Sequence, residues 1–551
     1  MKKYVSCFLS LALSATLMVP SASAASYTDV PATDVLAVEV EKATEYGLMN
    51  GYGNGIFGFK DSMTRAQFVT VLGRMLGWFQ DTQSAANYIT PEMEVDVGTL
   101  DVYWNAINEA AEWDVVDRDR PFRPNDAITR GEMAEMLVRA LGLKGAAATA
   151  EKGKSLPFVD VTERVGYISV AYDIGMTKGT SATTFAPNAT ATRAQAAAML
   201  LRIYEKLHPG EEWSHAYYAI SSYPQLELGT QADAVTLGWS RMTWDGSSAL
   251  LATTSKSSYE YYIPSGYQDV VTTLEKAGVR MHLGVFMDTS NGIADLLSTA
   301  DGRTQAIKEI INELRVSYKA LGRNPYQGVT IDFEGLRAAQ KQNFTAFLTE
   351  LSAELNAMGK TLYVCVSPVL NTGAYYDGYD YRAIGDLADK VILMAYGYDT
   401  QNLSGFVGTE YYKTAAPAPI DQVYLALKAI TDEQTGVADT SKVVLGYSCK
   451  NVAWEIDGEG KLTSALPVYP SNDTVSVRLK QEDTSCGWST TYGMPYMTYT
   501  TEDGSKYFLW YEDSRSVQLK LDTARLFGVN AISLWRLGTI PDYTNWSWNF
   551  A

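Results

Sequence analysis

Three stretches in the first part of the chain carry the same apolar stripe. Phe68, Val71, Leu72 and Met75 recur as Met133, Met136, Leu137 and Ala140, and again as Ala196, Met199, Leu200 and Ile203. The i, i+3, i+4, i+7 spacing predicts three helices, each with one face against a core. Each helix has the same preamble, seven residues from Phe57 to Thr64, from Phe122 to Thr129 and from Phe185 to Thr192, at periods of 65 and 63. Asp29-Val30, Asp96-Val97 and Asp160-Val161 stand upstream. Such self-similarity marks an internal repeat, with copies at 26–82, 90–143 and 155–207. Lys144 to Ser155 reads as a linker between the second and third copies, and His208 to Glu212 as the boundary with the C-terminal part of the chain.

From residue 213 onward the pattern changes to short apolar runs alternating with amphipathic segments. Predicted strands are Tyr217–Ser222, Ala234–Trp239, Val279–Phe286, Gly328–Glu334, Thr361–Ser367, Lys390–Tyr396, Lys442–Tyr447 and Asn530–Trp535. Helices fall between most of them, most clearly at Thr304–Leu321, Arg337–Met358 and Ser514–Phe527, while Pro224 to Asp233 offers little helix. Eight strands with helical crossovers predict a (β/α)8 barrel over 213–551, its functional groups at the strand C-termini. Residues 451–508, rich in Trp and Tyr, read as a small α+β insertion beside the cleft. The expected architecture is multidomain, helical repeats followed by an α/β barrel.

Composition narrows the partners. The 551 residues carry 63 Asp+Glu against 45 Lys+Arg, a formal charge of −18, with 46% hydrophobic residues. That content is a folding chain's, and an acidic chain without a basic tract is a poor fit to nucleic acid. Three histidines (His208, His215, His282) and four scattered cysteines argue against a metal site, and nothing calls for a cofactor. Lys2 and Lys3, the apolar run Val5–Val19 and Ala22-Ser23-Ala24 read as a signal peptide, residues 1–24. Its removal leaves 527 residues with charge −20, and no later run is long enough to span a membrane. Cys365 is expected as a buried thiol, whereas Cys449 and Cys486 either pair or stay free.

Thr64-Arg-Ala-Gln67, Thr129-Arg-Gly-Glu132 and Thr192-Arg-Ala-Gln195 are capping boxes, which satisfy free backbone donors at a helix start. Capping does not explain Arg65, Arg130 and Arg193, since an Arg in the first turn opposes the helix dipole. An anion ligand is the functional reading of that Arg. These motifs resemble S-layer homology domains. The resemblance implies a pseudo-threefold helical bundle binding an anionic, often pyruvylated, secondary cell-wall polymer, with Arg65, Arg130 and Arg193 meeting its acid groups. Gln67 and Gln195 stand where that family usually has Glu, and Gly131 where it has Ala.

On the fourth barrel strand, residues two apart share a face, so Thr330, Asp332 and Glu334 point into the lumen. Two carboxylates enclosed there repel one another and hold a proton above the ordinary pKa. A protonated acid beside an ionised partner is the equipment of glycosidic cleavage; an ion pair with a lumen Lys or Arg is the structural alternative. The strand resembles the Asp-x-x-Asp-x-Asp-x-Glu signature of glycoside hydrolase family 18, nearest its spore-cortex and cell-wall branch. Met394-Ala-Tyr396, Trp510-Tyr-Glu-Asp513 and Ile532-Ser-Leu-Trp535 match further motifs in order.

That resemblance implies substrate-assisted, retaining hydrolysis of an N-acetylglucosamine polymer. Glu334 would be the acid, Asp332 would hold the acetamido N–H, and Tyr396 would bond its oxygen. Trp535 would floor the subsite, with Thr330, Met394, Trp239 and Asp399 as further substrate contacts. Gln327 and Thr330 replace signature Asp residues, and Gly397 follows Tyr396 where many members have Asp. Trp239 either lines the cleft or packs, and the same choice holds for Trp454, Trp488 and Tyr496. Asp513 reads as a helix cap. Two functions are expected from these residues: a secreted, wall-anchored hydrolase acting on peptidoglycan rather than chitin, or a catalytically silent glycan-binding wall protein.

Overall fold

In this computed structural model the described residues are 27–78, 86–95, 103–153, 156–210, 212–254, 261–368, 377–399 and 401–543. The expected signal peptide and Asp96-Val97 lie outside them. The chain forms two compact units, 1–209 and 210–551.

The first unit is helical, with α1 (Ala37–Glu45), α2 (Arg65–Met75), α3 (Trp104–Glu112), α4 (Arg130–Ala140), α5 (Lys144–Gly153), α6 (Val165–Asp173) and α7 (Arg193–Leu207). Helices α2, α4 and α7 each start on a complete capping box, as the Thr-Arg motifs predict. Their stripes are core: Phe68, Leu72, Met133, Leu137, Ala196 and Leu200 are all buried. The helices pack cyclically, α2 on α3, α4 on α6 and α7 on α1. Backbone bonds close the same ring. Arg65 N–H donates to Asp126 O (3.0 Å), Arg130 N–H to Ala189 O (3.0 Å) and Arg193 N–H to Asp61 O (2.9 Å).

The Asp-Val pairs also acquire a structural role. Asp29 accepts from the N–H groups of Phe57, Gly58 and Phe59 at 2.7 to 2.9 Å, and Asp160 from Phe185 and Ala186 at 2.9 and 2.7 Å. These bonds hold the Asp29 carboxyl below its usual pKa. They fasten the Phe57 and Phe185 loops, and in all three repeats the residue after this Phe has positive φ, in Gly58, Arg123 and Ala186. The expected linker is largely helix instead. Residues 144–153 form α5, in which Gly145, Ala146 and Ala147 are buried. Alanine-rich sequence favours helix, and small residues let α5 approach α6 so closely that a Cβ at Gly166 would lie 2.0 Å from the Ala147 carbonyl oxygen.

The second unit contains β1 (Trp213–Tyr218), β2 (Ala234–Trp244), β3 (Ala249–Ala252), β4 (Arg280–Met287), β5 (Gly328–Phe333), β6 (Thr361–Val366), β7 (Lys390–Met394), β8 (Val443–Ser448), β9 (Val452–Ile456), β10 (Ser485–Ser489), β11 (Met494–Thr500), β12 (Lys506–Trp510) and β13 (Ala531–Trp535). Eight of them run parallel in the order β1-β13-β8-β7-β6-β5-β4-β2, and the β1–β2 pairing closes the barrel. Crossover helices include Tyr267–Lys276, Ala300–Arg315, Lys341–Ala357, Ile420–Ile430 and Ser514–Leu526. The first crossover is thin, as expected: a 3-10 turn at Ile220–Gln225 and a single helical turn at Leu226–Gly229.

Strand β1 begins four residues before its predicted start, because its inward face carries His215, a polar residue that interrupts the apolar signal. The insertion is a four-stranded antiparallel sheet, β10-β11-β12-β9, with a helix at Asn472–Leu479. Its last strand extends the lobe to Trp510. Cys365, Cys449 and Cys486 are free thiols, so the possible Cys449–Cys486 bridge is absent; Cys449 is buried and Cys486 exposed.

Candidate active site and polymer-binding grooves

The lumen floor is polar. Ser533 Oγ lies 2.7 Å from His215 Nδ1, His215 Nε2 2.8 Å from Thr236 Oγ1, and Thr236 Oγ1 2.7 Å from Thr330 Oγ1. The chain continues from Thr330 to His282 Nδ1 (3.3 Å) and from His282 Nε2 to Thr361 Oγ1 (2.8 Å). Six strands are stitched by this network, and Gly328 makes room for it, since a Cβ there would sit 2.5 Å from His282 Nε2. Burial drives His215 down to about 3 and His282 well below its ordinary value, so both rings are neutral. Thr330 does point into the lumen, but its hydroxyl serves Thr236 and His282 rather than Asp332. Sequence reading missed the two histidines as lumen residues; the signal was parity with Tyr217 on β1 and with Gly284 on β4.

Above this floor stand the two carboxylates. Asp332 ends the inward row of β5 and is 7% exposed; Glu334 follows the strand and is half-buried. Burial, then the charge of Glu334, pushes the Asp332 carboxyl well above the usual range. Glu334 is itself raised by burial and by Asp288. Among the described residues neither carboxylate has a Lys or Arg within ion-pair distance. Asp332 Oδ1 is buried without a protein hydrogen-bond partner. Such a group is exceptional in folded proteins.

Other side chains converge here. The Cys365 thiol, beside Asp332, favours its ionised form, and the Tyr217 hydroxyl lies 2.6 Å from Cys365 Sγ. The acids raise the buried Tyr396 phenol further, so it remains a donor. Gly446 leaves room for that ring, since a Cβ there would stand 3.2 Å from Tyr396 Cε1. Tyr379 donates to the carbonyl of Phe333 at 2.6 Å, fixing the backbone between the acids. Tyr217, Cys365 and Tyr379 had no motif to announce them, although Cys365 was expected to be buried, and is.

Trp535 and Met394 are half-buried and pack on the cluster of Tyr217, Tyr363, Cys365 and Ile392, and the Trp535 ring meets Tyr217 edge-on at 5.0 Å. Thus Glu334, Asp332, Tyr396, Trp535 and Met394 gather at one end of the barrel. Trp239 does not join them. It is fully buried and T-shaped against Tyr218 at 6.0 Å, so it packs rather than lines the cleft. Asp399 is buried in an ion pair with Lys450 (3.0 Å), which also covers the Tyr469 ring, so it is engaged within the protein. Trp454 is insertion core, Tyr496 stacks on Phe508, and Trp488 is capped by Arg515 at 3.7 Å. Asp513 caps the last long helix, as expected.

In the helical unit the recurring arginines bridge repeats. Arg65 Nε donates to Phe122 O (2.6 Å), Arg130 Nε to Phe185 O (2.9 Å) and Arg193 Nε to Phe57 O (3.0 Å). Each guanidinium lies about 5 Å over the same Phe ring. The recurrence that capping left unexplained therefore has a structural cause, one that needs no anion.

Residues 26–69, 96–134 and 157–197 match the S-layer homology domain, and residues 254–539 match glycosyl hydrolases family 18. The cortical fragment-lytic enzyme of Bacillus subtilis is 25% identical over 272 residues, 49% of this chain and 56% of that protein. The surface layer protein of Brevibacillus choshinensis is 34% identical over 145 residues, 26% of this chain and 13% of that one. Among solved structures, the spore cortex-lytic enzyme SleL of Bacillus cereus overlays 60% of this chain and 72% of its own, with TM-score 0.47 and 18% identity. The chain spans about half the length of the curated relatives that its barrel matches. The barrel match alone covers more than half of the sequence, and the chain belongs to glycosyl hydrolases family 18.

Proposed function

We propose that the protein is a secreted, cell-wall-bound glycoside hydrolase that cleaves β-linked N-acetylglucosamine polymers with retention, peptidoglycan in preference to chitin. The observation that carries this reading is the Asp332–Glu334 pair, enclosed, mutually repelling and, among the described residues, without a basic partner. Burial and mutual repulsion both favour a proton held on one of the two. Glu334, the more accessible, gives it to the glycosidic oxygen. Both acids come from the C-terminal end of one strand, Asp332 on it and Glu334 just past it, so neither stands across the bond as the enzyme nucleophile of a two-carboxylate scheme. The 2-acetamido oxygen of the substrate attacks the anomeric carbon instead, and the leaving alcohol takes the Glu334 proton. Asp332 holds the acetamido N–H with the oxygen that has no protein partner, and stabilises the positive charge of the cyclic intermediate. Tyr396 donates to the acetamido oxygen, and Trp535 offers a flat apolar face to the sugar ring. Water, deprotonated by Glu334, then opens the intermediate on the face the alcohol left, which gives retention.

The wall reading rests on the three repeats, whose arginines would meet acid groups of a secondary polymer, and on surface-layer relatives. Peptidoglycan is favoured because the repeats tether the barrel to a wall. Incubating the full chain with peptidoglycan and with chitin oligomers, and analysing released ends by mass spectrometry and anomers by NMR, tests it. The expected products are N-acetylglucosamine reducing ends of β configuration, more from peptidoglycan; α-anomers first, or products only from chitin, would refute the respective half.

A further inference from the structure

Strand β2 carries a basic residue to the edge of the acidic site. Thr236 and His282 are register partners and both join the lumen network, so they mark the inward faces of β2 and β4. Two-residue alternation then puts Gly284 and Phe286 inward on β4. On β2 one extra residue enters between Leu237 and Ser240, which stand opposite Leu283 and Val285. The extra residue shifts the parity, and Arg241 rather than Ser240 comes level with Phe286. Phe286 is in turn level with Asp332 on β5. Arg241, Phe286 and Asp332 therefore form one inward row across three strands.

An aromatic platform lies beside this row. The Tyr261 ring stacks on Phe286 with centroids 5.0 Å apart and planes 4° from parallel, and the Arg241 guanidinium lies 5.9 Å from the Tyr261 centroid. All three side chains are half-buried. Burial and then the charges of Asp332 and Glu334 push the Tyr261 phenol up, while Arg241 pulls it down, so the ring is within electrostatic reach of acids and guanidinium alike. Among the described residues no carboxylate lies within ion-pair distance of Arg241. Asp288, a further acid acting on Tyr261, is taken up by Ser290, whose N–H and Oγ–H donate to it at 2.9 and 2.6 Å. A guanidinium without an acid, beside a flat aromatic pair at the edge of a sugar site, is equipped for a sugar that brings its own carboxylate.

We propose that Arg241 binds the free 3-O-lactyl carboxylate of a muramic acid residue beside the cleaved N-acetylglucosamine, and so selects peptide-free peptidoglycan strands. Tyr261 and Phe286 lie against that sugar. In an alternating strand both neighbours of the N-acetylglucosamine are muramic acid, so either side of the scissile bond offers the group, whereas chitin offers none. In a strand bearing stem peptides the lactyl carbonyl is a neutral amide. Water must first cleave that amide, giving the carboxylate and the free amine of the peptide, so an amide hydrolase acts on the strand before this enzyme does. The cation also offsets the repulsion that an anionic glycan meets from Asp332, Glu334 and Asp288. The assignment rests on the barrel being the peptidoglycan hydrolase proposed above.

The test gives the full chain a peptide-free fragment of alternating N-acetylglucosamine and N-acetylmuramic acid, and the same fragment with its lactyl carboxylates converted to methyl esters. Wild type should cleave the acid with a kcat/KM roughly tenfold or more above that for the ester, the difference carried by KM. In Arg241→Gln the two values should converge, and Arg241→Lys should keep part of the preference. Both fragments are compared within one preparation, so a variant that folds only in part still reports the ratio. A wild-type ratio near one, or a ratio retained by Arg241→Gln, overturns the assignment and leaves the hydrolase standing. Cleavage of neither fragment by wild type overturns the reading beneath it and the assignment with it.

Discussion

The hydroxyl of Tyr217 lies 2.6 Å from the sulfur of Cys365, both buried in the barrel and both under the influence of Asp332. Thr330, which stands at a signature Asp position, is bound to Thr236 and His282, and the thiol is the protein group that favours the ionised form of Asp332.

Replacing that thiol should therefore move the pH profile. Without the polar thiol beside Asp332 the acid pair holds its second proton more tightly, and the acid limb of kcat/KM shifts to higher pH. Cys365→Ala is expected to show that shift, and Cys365→Ser to restore the wild-type limb. A profile unchanged in Cys365→Ala would leave the thiol as packing only.

The same burial has a cost in stability. A carboxyl whose folded pKa is raised binds its proton more tightly folded than unfolded, so its favourable contribution is present at low pH and lost as pH rises through the folded value. Asp332→Asn removes that loss. Its melting temperature should exceed that of wild type at pH 8 and the difference should shrink towards pH 4. A difference that grows as pH falls would contradict the direction assigned to Asp332.

The lumen histidines predict acid lability with the opposite slope. Both are neutral when folded, His215 down to about 3, against roughly 6.5 in an unfolded chain. As pH falls from about 6.5 towards 3 the unfolded state takes up protons that the folded barrel refuses, so stability falls across that window. Denaturant titrations of the full chain, followed by barrel tryptophan fluorescence, should show it. His215→Gln should flatten the slope there even if it lowers overall stability.

Arg130 makes a prediction for the helical unit. Its Nε bond to the Phe185 carbonyl joins the second repeat to the third, and a charged hydrogen bond of this kind contributes about 2 kcal/mol. Arg130→Ala should destabilise the unit by about that amount in thermal or urea unfolding. Loss of wall binding in arginine variants must therefore be compared with circular dichroism, since a bridge between repeats is lost as well.

Much of this architecture is legible in the sequence because it is periodic. The capping boxes and stripes of Phe68, Met133 and Ala196 repeat at fixed spacing, and local backbone chemistry fixes their structure. The parity of Thr330, Asp332 and Glu334 equally follows from the strand alone. What escapes is pairing across the chain. His215 and His282 meet the same Thr330 network from strands distant in sequence, and no local pattern marks them. Trp239 illustrates another limit: its place at the end of β2 leaves cleft and core both open, and only the fold shows it buried against Tyr218. Lys144–Ser155 shows a third limit, since its alanines suit linker and helix alike until α6 provides a face to pack on.

The central claim is that Glu334 delivers the proton that breaks the glycosidic bond. The most direct measurement is the rate at which full-length Glu334→Gln releases new reducing ends from peptidoglycan, beside its affinity for the same glycan. General acid catalysis supplies roughly 10² to 10⁴-fold in rate, so turnover should fall by about that factor while glycan binding persists. Hydrolysis by the variant at the wild-type rate, or a wild-type protein that binds glycan and cleaves none, would contradict the account.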